Sequence, residues 1–292
     1  MTDSSPTPTP LDASPTPTPL DASPTPTPPV TLSIAGSDSG GGAGLQADLR
    51  AFAAFGCFGT TVVTAVTAQN TCGVSDVHVI PTASVERQLA AVLDDLPVVA
   101  VKTGMLATTE LVGLVADAAA DGRLPQLVVD PVLVSATGHR LLEPAAVAAY
   151  VERLLPLASV VTPNVPEAEV LTGRRITGLD DARAAARDLA GTGTRVVVVK
   201  GGHLDGPRAV DVVLADGEEH LLDAARIDTP NVHGTGCTFA AATAAGLARG
   251  DAPADAVAAA KDYVTTCLQR AAGWRLGGGP GPLDHLGITV AG

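Results

Sequence analysis

The sequence predicts an α/β fold in which helices cover both faces of a mainly parallel central sheet, giving a three-layer α/β/α arrangement. From Val30 onward, short Val-rich runs alternate with Ala-rich stretches of helical length, and alternating β and α units favour a parallel sheet. Polar and glycine residues also follow most of the Val-rich runs, as expected where the carboxyl ends of parallel strands form a ligand-binding edge. No linker-like stretch divides residues 30–292, so we expect one domain there.

Each predicted strand is a short run of β-branched and aliphatic residues that ends in a turn or a polar residue. The predicted strands are 30–36, 60–68, 98–104, 127–130, 159–164 and 195–202, and residues 209–226 indicate a hairpin. The predicted helices place Ala, Leu and charged residues at helical spacing. They are 44–56, 84–93, 108–119, 143–155 and 180–190, followed by two Ala-rich helices near the C-terminus.

The first 29 residues differ in composition from the rest of the chain. The nonapeptide SPTPTPLDA occurs at residues 5–13 and again at 14–22, and a truncated copy follows from Ser23. Alternating proline removes backbone donors and favours an extended chain, and the segment has too little apolar content for a core. We therefore predict a disordered, semi-rigid tail over residues 1–29, which is either a passive extension or a recognition segment.

The composition limits the classes of partner. The formal net charge of -13 argues against nucleic acid or an anionic membrane, although local N–H groups and one lysine can still hold a nucleotide. The four cysteines lie far apart and form no CxxC pair, which is typical of a reducing compartment and indicates no structural zinc site. Because we find neither a secretory signal nor a membrane-spanning run, we expect a cytoplasmic protein.

The segment HGTGCT, residues 233–238, is the most informative motif, because it precedes an Ala-rich predicted helix. Gly234 and Gly236 allow close approach of the backbone to a ligand. The first N–H groups of a helix have no partners within it, and its dipole adds positive potential, so this position suits an anion such as phosphate. The same potential favours a thiolate at Cys237. The alternative is a glycine-rich turn with a buried cysteine.

Two common nucleotide-binding motifs are absent. The segment GSDSGGGAGLQAD, residues 36–48, follows the first predicted strand, but the GxGxxG pattern would need glycine where the chain has Leu45. The second predicted strand lacks the acidic residue at its end that binds ribose, since it runs into Gln69. No Gly-Lys-Ser/Thr sequence is present, which excludes a P-loop.

Seven segments together resemble one kinase family. In chain order they are GSDSGGGAGLQADL, AVTAQNTCGV, VKTGML, DPVLVSATG, TPNVPEAE, VKGGH and HGTGCT. This ordered set resembles the hydroxymethylpyrimidine/phosphomethylpyrimidine kinases of thiamine biosynthesis, in the ribokinase-like superfamily, and the resemblance extends from Val30 to a GPGPLDH segment near the C-terminus. It implies a ribokinase-like fold and an ATP- and Mg²⁺-dependent enzyme that phosphorylates 4-amino-5-hydroxymethyl-2-methylpyrimidine, then phosphorylates the monophosphate. By the same analogy we expect a homodimer.

The resemblance also assigns residues to a pyrimidine pocket. Gly36, Ala43 and Met105 match positions that line this pocket in the family, and Gln69 matches the position that hydrogen-bonds the amino group and ring nitrogen. An amide suits that role because it carries a donor and an acceptor on one planar group. Thr67 lies on the same predicted strand. The alternative for Gln69 is a buried structural glutamine.

Three strand-end segments match the family's phosphate and metal positions. Asn164 and Glu167 match an Asn-x-x-Glu motif associated with magnesium and phosphate, and Asp130 is placed to assist the cation. Mg²⁺ prefers oxygen ligands and keeps several waters. Lys200 would neutralise the transferring phosphoryl group. The alternatives are a helix cap formed by Asn164 and Glu167, which is compatible with metal binding, and a solvated lysine.

The resemblance implies that the HGTGCT motif, residues 233–238, forms the anion hole for the phosphate groups. Backbone N–H groups from Gly234, Thr235, Gly236 and Cys237 would stabilise the transferring phosphoryl group. Cys237 stands where many related sugar kinases carry an aspartate base, so it would accept the proton of the substrate hydroxyl. The nearest alternative is a pyridoxal or pyridoxine kinase. A non-catalytic pyrimidine sensor, a dinucleotide-dependent oxidoreductase and a thiol hydrolase fit the motifs less well.

Overall fold

The computed structural model describes residues 26–133 and 146–289. Most of the predicted tail, residues 1–25, lies outside the described residues, as do residues 134–145 and 290–292. The first three residues of the helix predicted at 143–155 fall in that internal gap, and so does most of the DPVLVSATG segment after Leu133.

A nine-stranded sheet forms the centre of the described part of the chain. Its strands are β1 (Val30–Asp38), β2 (Phe58–Asn70), β3 (Gly73–Val79), β4 (Val98–Thr103), β5 (Leu127–Val129), β6 (Val160–Val161), β7 (Val196–Val199), β8 (Arg208–Ala215) and β9 (Glu218–Ala225). The strand order is β3-β2-β1-β4-β5-β6-β7-β8-β9. Every neighbouring pair from β2 to β7 is parallel, while β3, β8 and β9 are antiparallel to their neighbours, which confirms the mainly parallel sheet.

Strand β3 was not predicted from the sequence. It returns along β2 after a two-residue turn and forms one edge of the sheet, so that Gln69 pairs with Val74. Its residues are only partly buried or exposed. A strand on the rim of a sheet needs few apolar residues, and its composition therefore carries a weak signal.

Helices cover both faces, as predicted. They are α1 (Gly44–Ala54), α2 (Thr82–Leu93), α3 (Thr109–Ala120), α4 (Ala146–Ala149), α5 (Val165–Thr172), α6 (Leu179–Ala190), α7 (Thr235–Ala248) and α8 (Pro253–Ala271). One apolar cluster joins α1, α7 and α8 to the sheet, and a second joins the sheet to α2, α3, α4, α5 and α6. After α4 the chain continues through a π-helical turn, Tyr150–Leu154, and a 3-10 turn, Leu155–Leu157.

Helix α7 lies directly against the sheet and is buried from Thr238 to Leu247. Six of these ten residues are alanine or glycine, so the helix axis can approach the strands closely. This placement brings the first turn of α7 to the edge where β1, β4, β5, β6 and β7 end. No helix in the described ranges is both long enough and apolar enough to cross a membrane.

Candidate functional site

The first turn of α7 forms one end of the candidate site. Gly234 caps this helix with a left-handed backbone (φ 88°), and a β-carbon there would collide with the Gly42 carbonyl oxygen. Only glycine satisfies both requirements. The N–H of Thr235 donates to the Val232 carbonyl at 3.3 Å, which distinguishes it from the N–H groups of Gly236 and Cys237. The N–H groups that follow have no acceptor within the helix.

Lys200 and Asp130 lie beside this helix terminus. Lys200 Nζ donates to Asp130 Oδ1 at 3.2 Å, and the Thr162 hydroxyl donates to the same oxygen at 3.3 Å. A β-carbon on Gly236 would lie 3.2 Å from Lys200 Nζ, so the glycine backbone is adjacent to the ammonium group. Burial lowers the pKa of Lys200, but the Asp130 and Glu167 carboxylates outweigh burial and hold that pKa above its ordinary value.

Asn164 and Glu167 form a reciprocal cap at the start of α5. The Glu167 N–H donates to Asn164 Oδ1 at 2.9 Å, and the Asn164 N–H donates to Glu167 Oε2 at 2.8 Å, which confirms the capping alternative. Burial raises the pKa of Glu167 to about 8; Lys200 opposes this rise and Asp130 adds to it. Among the described residues, no three His, Cys, Asp or Glu side chains converge on one metal position.

Cys237 is partly buried in the first turn of α7. Burial raises the pKa of its thiol to about 11, although the Lys102 ammonium group and a hydrogen bond from the Gly44 N–H lower it. The thiolate expected from the helix potential is therefore wrong for the protein without ligands, because the desolvation cost exceeds the attraction of nearby positive charge. The thiol is protonated at neutral pH.

A buried ion pair lies between α1 and β4. Lys102 Nζ donates to both carboxylate oxygens of Asp48, at 2.9 and 3.0 Å, and neither side chain is exposed. The Ser33 hydroxyl donates to Asp48 Oδ2 at 2.6 Å. The sequence analysis assigned no role to this pair. A lysine within an otherwise apolar strand and an aspartate on the buried face of α1 were the signals that it missed.

The predicted pyrimidine-pocket residues lie at the ends of β1, β2 and β4. A β-carbon on Gly36 would be 2.7 Å from the Met105 methyl carbon, so these two residues touch. Thr67 and Gln69 are two residues apart on β2, and the Thr67 hydroxyl lies 3.2 Å from Gln69 Oε1 and 2.9 Å from the Ser37 carbonyl oxygen. Ala43 precedes α1. The structure therefore brings the predicted pocket residues to one region.

Asp38 organises the loop between β1 and α1. Its carboxylate accepts hydrogen bonds from the N–H groups of Gly40 at 2.8 Å, Gly42 at 3.0 Å and Ala43 at 2.8 Å. His233 Nε2 lies 3.0 Å from Asp38 Oδ2. Burial raises the pKa of Asp38, but the hydrogen bonds from His233, Ala43 and Gly40 outweigh burial and hold that pKa below its ordinary value.

His233 connects the two ends of the site. Its Nε2 also lies 3.2 Å from Gln69 Nε2, and its backbone runs directly into Gly234 and the first turn of α7. The sequence analysis gave neither Asp38 nor His233 a role. An aspartate immediately before a glycine-rich loop was the available signal, since its carboxylate can collect several backbone N–H groups.

The C-terminal segment lies against the same helix. His285 Nε2 is 2.8 Å from the Thr238 hydroxyl, and the Tyr263 hydroxyl donates to the His285 carbonyl at 2.8 Å. Asp284 accepts hydrogen bonds from the N–H groups of residues 286–288. The GPGPLDH segment thus packs on the first turns of α7.

Comparisons with known proteins identify the relatives of this chain. A family model described as phosphomethylpyrimidine kinase matches residues 38–284. The chain is 50% identical over 257 residues to the hydroxymethylpyrimidine/phosphomethylpyrimidine kinase of Streptomyces coelicolor, covering 88% of this chain and 94% of that protein.

Solved structures of related kinases share the fold of this chain. The ADP complex of Bacillus subtilis pyridoxal kinase matches with a TM-score of 0.83 and 38% identity, over 89% of this chain and 98% of that one. A phosphomethylpyrimidine kinase from Clostridium difficile matches with a TM-score of 0.73 and 39% identity, over 82% and 99%. These matches confirm the ribokinase-like fold.

Proposed function

Because this chain belongs to the phosphomethylpyrimidine kinase family, we propose that it transfers the γ-phosphoryl group of ATP to 4-amino-5-hydroxymethyl-2-methylpyrimidine. The second reaction phosphorylates the resulting monophosphate to the diphosphate, as in thiamine biosynthesis. The observation that carries the proposal is the convergence of a cation, Lys200, with the glycine-rich start of α7, at the sheet edge that also carries Gln69 and Met105. Phosphoryl transfer needs such positioning and charge stabilisation.

The phosphate end would act mainly through electrostatics. The N–H groups of Gly236 and Cys237 would donate to the oxygens of the transferring phosphoryl group, and Lys200 would neutralise negative charge that spreads over those oxygens. Gly234 and Thr235 shape the turn that presents these donors. The hydroxymethyl oxygen forms a bond to the γ-phosphorus, the bond to the bridging oxygen breaks, and ADP leaves with that oxygen.

We assign the proton acceptor to Cys237. The substrate hydroxyl must lose its proton as the new bond forms, and the Cys237 sulfur would take it. Because burial raises the pKa of the thiol to about 11, the thiol must first release its own proton to solvent water before the sulfur can accept the proton of the substrate hydroxyl. The Lys102 ammonium group favours that release by stabilising the thiolate.

The acidic residues of the phosphate end fit a magnesium ion held partly by ATP. Mg²⁺ is commonly bound by one or two carboxylates together with waters and substrate phosphates, and Asp130 and Glu167 are two carboxyl groups that both interact with Lys200. Asn164 would orient Glu167 through the cap. When bound, the ion would neutralise phosphate charge. Since burial raises the pKa of Glu167 to about 8, binding there would displace a proton.

Pyridoxal phosphorylation is the second candidate, because the pyridoxal kinase of B. subtilis shares the fold with a TM-score of 0.83. Pyridoxal also carries a hydroxymethyl group on a six-membered nitrogen ring. We favour the pyrimidine because Gln69 can pair with adjacent donor and acceptor atoms on a ligand. A homodimer and a cytoplasmic location stay predictions.

The test is a comparison of kcat/KM for the pyrimidine alcohol and pyridoxal, measured as ADP formation with Mg²⁺ and ATP. We expect kcat/KM to be larger for the pyrimidine, and Gln69→Leu to reduce that preference because it removes both polar atoms. Turnover of pyridoxal alone would contradict the pyrimidine assignment and support the second candidate. Ligand binding without ADP formation would support the non-catalytic sensor.

A further inference from the structure

The hydrogen bonds around His233 fix which of its atoms carries a proton. Asp38 Oδ2 accepts from the N–H groups of Gly42 and Ala43, and the lowered pKa of Asp38 keeps this carboxylate ionised. It is therefore an acceptor only. Since His233 Nε2 lies 3.0 Å from it, that nitrogen must be protonated and must donate to Asp38.

This protonation constrains the side-chain amide of Gln69. At the second neighbour of this protonated nitrogen, 3.2 Å away, an amide nitrogen would place two donors face to face, whereas an amide oxygen can share the N–H with Asp38. On the other side of the amide, the Thr67 hydroxyl has two acceptors beside it, the Ser37 carbonyl oxygen and Gln69 Oε1. Exchanging the amide oxygen and nitrogen by a half-turn removes the contact between the two donors and gives the Thr67 hydroxyl one donor and one acceptor as neighbours.

In the exchanged orientation every group has a matching partner. The single N–H of His233 Nε2 is shared between Asp38 Oδ2 and Gln69 Oε1 as a three-centre hydrogen bond. Gln69 Nε2 donates to the Thr67 hydroxyl, and that hydroxyl donates to the Ser37 carbonyl. An amide has two N–H groups and two carbonyl lone pairs, so one of each remains for a ligand.

The histidine ring itself has little freedom to move. A β-carbon on Gly42 would collide with the His233 ring, and a β-carbon on Gly234 would collide with the Gly42 carbonyl. The two loops are thus packed against each other at glycine contacts, and His233 is held against Asp38. A fixed histidine gives Gln69 a fixed partner.

We propose that Asp38 and His233 are positioning residues that hold the Gln69 amide with its oxygen toward His233, and that this orientation selects and orients the ring of the substrate. The inference rests on the proposed function. The 4-amino group of the pyrimidine donates to Gln69 Oε1, and the adjacent ring nitrogen accepts from Gln69 Nε2. The amino group therefore lies at the His233 end of the amide and the ring nitrogen at the Thr67 end.

This order directs the reacting group toward the phosphate end. On the pyrimidine ring the hydroxymethyl carbon is attached next to the amino-bearing carbon, on the side away from the ring nitrogen that pairs with Gln69. The hydroxyl group therefore lies on the His233 side, where the chain continues into the first turn of α7 and Cys237. The opposite amide orientation would direct the hydroxymethyl group toward Thr67.

The test compares two ligands with opposite hydrogen-bonding order. The pyrimidine alcohol offers an amino donor beside a ring-nitrogen acceptor, whereas its 4-oxo analogue offers a carbonyl acceptor beside a ring N–H donor. Dissociation constants of both ligands are measured by calorimetry without ATP, for the full chain and for His233→Ala and Asp38→Asn. His220→Ala is the matched control, because His220 is an exposed histidine on β9.

We expect the full chain to bind the pyrimidine alcohol roughly thirtyfold more tightly than the 4-oxo analogue, since the wrong order leaves buried groups unpaired. In His233→Ala the amide is free to turn, so this ratio should fall to about threefold. Asp38→Asn keeps the His233 ring but removes the carboxylate that fixes its tautomer. The ratio should therefore fall less in Asp38→Asn than in His233→Ala. His220→Ala should retain the full ratio.

Equal weakening of both ligands in His233→Ala and Asp38→Asn, with an unchanged ratio, would overturn the proposal, because a purely structural role changes affinity without changing the preferred order. If His233→Ala does not fold, the ratio of the two dissociation constants in Asp38→Asn decides between a positioning role and a purely structural one. Failure of the full chain to phosphorylate the pyrimidine alcohol is a separate result that overturns the proposed function itself.

Discussion

The two ends of the candidate site differ in how their polar groups are satisfied. At the ring end, Asp38, His233 and Gln69 form one continuous set of hydrogen bonds, and the Asp38 carboxylate is stabilised in its charged form. At the phosphate end, Asp130 and Glu167 share a single ammonium group, Lys200, and burial raises the pKa of Glu167 to about 8. The ring end is held in place by its own hydrogen bonds, whereas the phosphate end has one ammonium group for two carboxyl groups.

This difference matches the groups that each end would bind in the proposed reaction. A ring with a fixed donor and acceptor order is best recognised by groups that are already oriented, since less ordering is needed on binding. Phosphate groups and a divalent cation bring large charges with them, so a buried carboxyl group such as Glu167 can keep its proton until they bind. The two ends meet at residues 233–237, which connect recognition of the ring to transfer of the phosphoryl group.

Replacement of Cys237 should have the largest effect, because this residue lies where the two ends meet. We expect Cys237→Ala to lower kcat roughly 100- to 10,000-fold if the sulfur is the base, while the dissociation constant of the pyrimidine alcohol stays nearly constant. Because the fraction of thiolate rises with pH below a pKa of about 11, kcat of the unaltered protein should increase between pH 7 and pH 9. Near-normal turnover in Cys237→Ala, or a kcat independent of pH over that range, would exclude the base role.

Lys200 provides the next test, restricted to the phosphate end. Lys200→Met removes the ammonium group that pairs with Asp130 and should lower kcat about 100-fold, whereas Lys200→Arg retains a positive charge and should lose less. Binding of the pyrimidine alcohol, measured by calorimetry, should change little in either variant. A loss of ring binding as large as the loss in kcat would show that the two ends are not separable.

Glu167→Gln should raise the thermal stability of the protein at high pH while it weakens the proposed Mg²⁺ site. The folded protein keeps a proton on Glu167 up to pH about 8, whereas the ordinary carboxyl pKa is 4.5. Between those pH values the folded state binds the additional proton, so stability falls as pH rises toward 8. Glutamine has no proton to lose, and the Tm of Glu167→Gln without ligands should exceed that of the unaltered protein by about 2 °C or more at pH 8. The difference in Tm should shrink toward pH 5.

The same variant should need more Mg²⁺ for half-maximal activity, because one proposed oxygen ligand loses its charge. A Tm difference that is the same at pH 5 and pH 8 would contradict the raised pKa of Glu167. An unchanged magnesium requirement would remove Glu167 from the metal site without affecting the assignment of the ring end.

The smallest effect is expected from the tail. Among residues 26–133 and 146–289, hydrogen bonding between the N-terminal segment and the body of the protein begins at Pro29, whose carbonyl accepts from the Phe58 N–H at 2.9 Å. Deletion of residues 1–28 should therefore leave kcat and Tm unchanged within error, which can be measured in parallel with the full chain. A large loss of activity or stability would show that the boundary at residue 29 is misplaced.

The sequence predicted the parallel sheet and the helices because the spacing of apolar residues determines them, and it placed Asp130, Asn164 and Lys200 at one edge because parallel strands end together. It did not predict the charge state of Cys237. That state depends on burial and on Lys102 and Asp48, which are distant in sequence and adjacent only in the fold. The contact of Asp38 with His233 joins residues 195 positions apart, and no local pattern specifies it.

The most direct test of the account is to follow the phosphorus products of the purified full chain by NMR, with Mg²⁺, ATP and the pyrimidine alcohol. The account predicts that a monophosphate ester accumulates first, that a diphosphate ester of the same pyrimidine then appears, and that ADP forms with each step. Absence of any pyrimidine phosphate, under conditions in which the protein is folded and binds the alcohol, would contradict it.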